Sequence, residues 1–197
     1  MIYRLYEYRI SRDLTTFPKE ICFMLSDADV IADAKKIGEV LAWIQEFPKI
    51  KKVIFHISTK DAEKIEELLK PLSLEEKTEV RVSTPKHDTK NGTGTPEILI
   101  ALGKNGREEI TDAIIKIAKE GVDPKDITEE TIEKHLAFQV NPDFVIKTGR
   151  NHLTDFLIWQ SVYSELFFTD INWGRFRRVD FLRALRDYQS RGRRYGT

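Results

Sequence analysis

The chain has 197 residues, enough for one domain with a sizeable core and thin for two. Hydrophobic residues make up 41% and charged residues 32%, an ordinary globular composition with a net charge of zero. One cysteine, Cys22, excludes an internal disulfide, and no stretch approaches the roughly 20 apolar residues of a membrane span. The N-terminal MIYRLYEYRISRDL has no apolar run of signal-peptide length. The expected location is therefore cytoplasmic, with a peripheral place at a membrane as the alternative.

Taken in chain order, short apolar runs alternate with helix-spaced patterns. Residues 21–25 read as a strand. Residues 34–46 read as a helix, with Ile37, Val40, Leu41 and Ile44 on one face. Residues 53–57 are the next strand, and residues 61–69 repeat the helical spacing with Ala62, Ile65, Leu68 and Leu69. Strands at residues 79–82 and 97–102 flank residues 84–96, a Gly, Thr, Asn and Pro-rich stretch that reads as a mobile surface loop. Residues 107–119 are helical, Thr128 is placed as an N-cap, and Ile127 and Ile132 are spaced for a hydrophobic staple. A strand at residues 143–148 precedes helices at 155–163 and 180–189. Several strands are apolar nearly throughout, as parallel strands covered on both faces are. The fold expected is α/β, a mainly parallel sheet ringed by helices in a single domain over residues 1–197.

Charge is unevenly placed. From residue 175 to the end there are eight arginines against two acids, a local +6 that the rest of the chain balances. Such a tail suits an anionic partner: diphosphate, lipid headgroup or nucleic acid. A solvated helix face would look the same, and no nucleic-acid recognition motif is present. The GTG at residues 92–94 lacks the spacing and the Lys-Ser/Thr of a phosphate loop. His56, His87, His135 and His152 are scattered, without metal-ligand spacing.

The second half carries more. NPDFVIKTG, followed by LTDFLIWQSVYSELFFTDINWGRFRRVDFLRALRDYQSRGRRYG, closely resembles the C-terminal signature of cis-prenyltransferases, PDLxIRTxGExRxSNFLxWQxxYxExxFxxxxWPxF and a basic helix ending in RxG. Upstream, ILIALGKNGREEITDAI and PKDITEETIEKHL resemble further family segments. The likeness is clear over about residues 97–197 and degenerate over about residues 1–96. It implies the family fold with an elongated apolar tunnel, isopentenyl diphosphate as a substrate and magnesium as the cofactor.

The resemblance fails where the family does its chemistry. Against the family's PxHxxxxMDGNxRWA stands PKEICFMLSDADVIADAKKIG, which puts Ser26 at the catalytic Asp and Val30 at the diphosphate-binding Arg. A one-residue slip would put Asp27 at the Asp position without restoring the glycine, asparagine or arginine. The stretch that follows the family's Arg-Trp-Ala is also missing. Serine is a weaker magnesium ligand than a carboxylate, and valine cannot replace a bidentate phosphate donor. In the second diphosphate site Lys147 takes the first Arg position, His152 the second and Thr154 the Ser, with Arg150 as a further cation.

The dimer-side pattern survives: Trp159, Tyr163, Phe168 and Trp173 stand in family order as interface residues, and Glu165 matches a glutamate that reaches toward metal. Plain core packing is the competing account of the aromatics. Arg194, Tyr195 and Gly196 keep the RxG ending, which in family dimers crosses to the partner and helps hold its isopentenyl diphosphate. A worn catalytic half beside an intact interface resembles the Nogo-B-receptor-like subunits that pair with a catalytic cis-prenyltransferase. The expectation is an accessory subunit whose partner holds most of the magnesium site. The alternatives are a homodimeric enzyme using Asp27 or Asp29, and a polyprenyl-lipid or nucleic-acid binding module on the same fold.

Overall fold

A computed structural model describes residues 2–72, 74, 78–103, 105–149 and 157–191. The helices are α1 (Ile2–Asp13), α2 (Asp27–Ala32), α3 (Lys35–Ile44), α4 (Ala62–Leu69), α5 (Gly106–Glu120), α6 (Glu129–His135) and α7 (Arg178–Ser190). The strands are β1 (Glu20–Ser26), β2 (Lys52–Ser58), β3 (Val80–Ser83), β4 (Asp88–Asn91), β5 (Glu97–Gly103), β6 (Phe144–Thr148) and β7 (Glu165–Thr169). Among the described residues the strands form one sheet in the order β4-β3-β5-β2-β1-β6-β7, parallel throughout except for the β3–β4 pair. The expected α/β class with a mainly parallel sheet is what forms.

Alternation along β1 splits the core. Ile21, Phe23 and Leu25 face one layer, with α1, α3, α4 and α7, while Cys22 and Met24 face the other, with Phe138, Val140 and Leu157. Period-two geometry sends neighbouring side chains to opposite faces, so a strand buried on both must be apolar at nearly every position. Burial pushes the Cys22 thiol up to about 12, which keeps it protonated and inert.

The first layer is filled by rings. Phe23 stacks on Phe55 at 5.3 Å, and Trp173 meets both edge-on, at 6.1 and 6.4 Å. Phe176 and Phe181 close around Phe23 at 6.3 and 6.4 Å. Trp173 is fully buried, and its indole N–H donates to the Asp33 carbonyl at 3.1 Å. The expectation that Trp173 belongs to a subunit interface is thus corrected: its ring is spent inside its own chain.

Other expectations change too. Residues 84–96 hold β4, whose DTKN carries no apolar side chain and forms by pairing with β3, helped by the Arg81–Asp88 ion pair. Residues 157–163 form hydrogen-bonded turns rather than a helix, while 155 and 156 lie outside the described residues. There Ser161 N–H bonds the Leu157 carbonyl, but Ser164 N–H bonds the Ser161 carbonyl, so the helical pattern does not propagate. Thr128 does cap α6, accepting from Thr131 N–H, while Ile127 remains exposed.

Candidate functional site

Parallel α/β sheets gather ligands at the carboxyl ends of their strands. Here Ser26, Ser58 and Gly103 end β1, β2 and β5 in register, at the floor of a cleft of about 630 Å³. Asp27, Lys60, Asn105 and Glu108 stand around it. Gly103 packs closely here: a Cβ would come within 3.2 Å of the Phe138 ring, which would have to shift by a few tenths of an ångström.

Two helices begin at this cleft, and both beginnings are closed by the chain itself. Ser26 caps α2: its hydroxyl accepts from Asp29 N–H, while the Asp29 carboxylate accepts from Ser26 N–H at 2.9 Å and from the Ser26 hydroxyl at 2.7 Å. Asn105 caps α5, accepting from Arg107 and Glu108 N–H at 3.1 Å each, and the Glu108 carboxylate turns back to Asn105 N–H at 3.3 Å. A free helix N-terminus attracts a phosphate through its unpaired N–H groups and dipole. In this cleft the Ser26 hydroxyl takes Asp29 N–H and the Asn105 amide oxygen takes Arg107 and Glu108 N–H, while the Asp29 and Glu108 carboxylates hold the N–H groups of the two cap residues. Val30, expected at the position of the family arginine, is fully buried.

Magnesium does not fit the residues present here. Ser26 and Asp29 are spent on each other, Glu108 is turned back to Asn105 N–H, which leaves Asp27 as the other exposed carboxylate lining the cleft, and no group of three metal-ligating side chains occurs among the described residues. Glu165, expected to reach toward metal, opens β7 at the opposite rim of the sheet. Its carboxylate accepts from Arg191 at 3.2 Å. A seven-residue strand such as β1 puts the two rims about 20 Å apart.

The locus expected to hold the second diphosphate lies one strand over. Lys147 is half-buried near the end of β6, in register with Met24 of β1 and Phe168 of β7. Gly149 follows with φ of 81° and donates its N–H to the Ile171 carbonyl. Arg150, His152 and Thr154 lie outside the described residues, as do Arg194, Tyr195 and Gly196.

Of the remaining interface candidates, Trp159 and Tyr163 line one groove and Phe168 lies on β7. Tyr163 is 77% exposed and Val162 66%, next to half-buried Trp159, in a groove completed by Glu129, Glu133 and Pro142. Phe168 is exposed on β7, which pairs only with β6 among the described residues. An apolar patch beside an open strand edge is a surface that calls for a cover.

A buried contact that holds this surface is not evident from the sequence motifs. Glu109 is 4% exposed and accepts from Phe138 N–H at 2.9 Å and from the Gln160 amide at 3.0 Å. It thereby ties α5 to the turn that presents Trp159 and Tyr163. Burial raises its carboxyl above the ordinary range. The folded state then binds the proton more tightly than the unfolded one, so stability falls as pH rises from about 4.5 through the raised value. Glu109→Gln is expected to flatten that dependence in denaturant melts across pH. Glu109→Ala, which leaves Phe138 N–H and the Gln160 amide unpaired, is expected to cost about 1–3 kcal/mol. An unchanged midpoint in the alanine variant would show that the contact does not hold the turn.

Strand-end cleft, parallel sheet and flanking helices define an α/β protein of the kind that binds its ligand at the sheet's carboxyl edge. The family described as "Putative undecaprenyl diphosphate synthase" matches residues 34–196, and the chain belongs to that family, the cis-prenyltransferases. It is 34% identical over 201 aligned positions to "Isoprenyl transferase 1" of Corynebacterium glutamicum, covering 83% of this chain and 89% of the relative. It is 54% identical over 106 residues to the "Tritrans,polycis-undecaprenyl-diphosphate synthase (geranylgeranyl-diphosphate specific)" of Methanocaldococcus jannaschii. That match takes in 49% of this chain, which spans only 38% of the archaeal relative. The fold superposes with a TM-score of 0.66 on "a probable undecaprenyl diphosphate synthase" from Campylobacter jejuni, at 16% identity over 93% of this chain and 100% of the other. The family match begins after the segment that holds Ser26 and Val30. An alignment of 201 positions is longer than this chain, so the Corynebacterium relative carries segments that have no counterpart here.

Proposed function

We propose that this chain is the non-catalytic subunit of a heteromeric cis-prenyltransferase that extends an allylic diphosphate with isopentenyl diphosphate to a polyprenyl diphosphate. The observation that carries the proposal is the pair of self-capped helix beginnings at the cleft. Ionising an allylic diphosphate needs cations and free donors around the leaving group. Here the Ser26 hydroxyl and the Asn105 amide oxygen take the helix-start donors, Asp29 and Glu108 take the cap N–H groups and add negative charge together with Asp27, and Ser26 and Val30 stand in place of the family's carboxylate and arginine.

Two further features support an accessory role. The rings of Phe23, Phe55, Trp173, Phe176 and Phe181 fill the layer between the sheet and its helices, space that a growing apolar chain would otherwise need. The exposed Tyr163 and Phe168 surface offers an interface to a partner, or to a second copy when the partner is absent. In this scheme the partner holds magnesium, the allylic diphosphate and the product tunnel. This chain contributes the interface and its Arg194-Tyr195-Gly196 tail.

The rival is a homodimeric enzyme that uses a relocated carboxylate. Asp27 is its best candidate, being exposed in the cleft near Lys60, whereas Asp29 is locked in the cap. One assay separates the two. Supplied with magnesium, farnesyl or geranylgeranyl diphosphate and isopentenyl diphosphate, the purified chain is expected to make little product. Adding a catalytic homologue from the same organism is expected to give elongation above that of the homologue alone. Robust turnover by the isolated chain would establish the homodimeric enzyme instead.

A further inference from the structure

Helix α1 is amphipathic in an unusual sense. Ile10 is buried, and Glu7 turns inward to Arg178 at 3.1 Å. The opposite side carries Arg4, Leu5, Tyr8, Arg9 and Arg12, which at 3.6 residues per turn fall within an arc of about 140°. Leu5 is 71% exposed and Tyr8 64%, so two large apolar side chains stand in solvent between arginines. No acid lies within that arc; Asp13 sits at its margin.

Helix α7 extends the same charge. The Arg183 guanidinium lies 5.5 Å from the centre of the Tyr6 ring, and both Arg183 and Arg186 interact with the Tyr6 hydroxyl. These cations therefore flank the exposed face of α1. On the neighbouring elements Asp180 is buried against Arg177 and Arg183, Asp187 pairs with Arg191, and Glu46 pairs with Arg178. For a chain of zero net charge, this is a concentrated positive face studded with apolar side chains.

We infer that the exposed face of α1, flanked by Arg183 and Arg186, docks on an anionic lipid bilayer. The chemistry favours a bilayer over another partner because both components are matched at once. Arginines meet the negative headgroup layer, and Leu5 and Tyr8 enter the boundary beneath it, as interfacial helices do. The long axis of α1 lies flat on such a surface, and the Tyr163 patch is built on other elements. Docking is thus independent of whether the chain is an accessory subunit.

Co-sedimentation of the full chain with vesicles tests this. Binding to phosphatidylcholine vesicles containing phosphatidylserine is expected, weakening strongly as salt rises, with little binding to phosphatidylcholine alone. Each arginine near an anionic surface strengthens partitioning about fivefold, so the Arg4→Ala, Arg9→Ala, Arg12→Ala triple variant should bind about a hundredfold more weakly. Leu5→Ser with Tyr8→Ser should also weaken binding while leaving the salt dependence in place. All these positions are exposed, and circular dichroism melts should match the unmodified chain. Any of three outcomes would overturn the inference: no binding to anionic vesicles at low salt, equal binding by the triple variant, or capture by nucleic acid with no vesicle binding.

Discussion

Trp173→Ala is expected to lower stability by about 3–5 kcal/mol, a large share of what a domain of this size possesses. The indole is fully buried, packs on Phe23, Phe55 and Phe176, and donates to the Asp33 carbonyl. Alanine would leave a cavity beneath the centre of the sheet and an unpaired carbonyl at the junction between α2 and α3. Thermal unfolding should move down by about 10 °C or more. The comparison that gives the result meaning is Tyr163→Ala. An exposed ring contributes little to the fold of the single chain, so its midpoint should stay within about 0.5 kcal/mol of the parent. If Trp173→Ala left the melt unchanged and weakened only subunit association, Trp173 would be an interface residue after all.

That pair of residues marks where sequence reading stops. Trp159, Tyr163, Phe168 and Trp173 occur in family order, and an aromatic is equally at home in a core or between subunits. Burial depends on what the rest of the chain places opposite each ring, and for Trp173 that is Phe23, Phe55 and the backbone of Asp33, all far away in sequence. The main strands were legible because a strand covered on both faces must be apolar almost throughout, and 21–25, 53–57 and 97–102 are. Helix α1 was legible in principle, through Tyr6, Ile10 and Leu14 at four-residue spacing. Strand β4 was not, because DTKN holds no apolar residue and only the free edge of β3 and the Arg81–Asp88 pair make it a strand. Motif comparison alone set Ser26 and Val30 against the family's Asp and Arg, with Asp27 at the Asp position in the alternative register. That both helix beginnings are closed by their own side chains was written in the spacings Ser26-x-x-Asp29 and Asn105-x-x-Glu108, both of them capping-box patterns.

Arg194→Ala is expected to cut the activity of the assembled enzyme about tenfold or more while leaving this chain's fold unchanged. Helix α7 ends at Ser190, and Arg191 is anchored by Glu165 and Asp187 at the rim of the sheet opposite the cleft. In the family such a tail helps hold isopentenyl diphosphate in the neighbouring subunit, with the arginine donating to phosphate and the glycine permitting close backbone approach. Losing a charge-assisted bond of this kind is worth about 1.5–3 kcal/mol, which sets the tenfold scale. The loss should appear mainly as a raised KM for isopentenyl diphosphate, with the allylic substrate little affected. Thermal melts of this subunit should not move, since a residue beyond the last helix contributes little to the core. A complex carrying Arg194→Ala, or lacking residues 194–197, that elongates as fast as the intact one would remove this chain from the partner's active site and leave it a purely structural subunit.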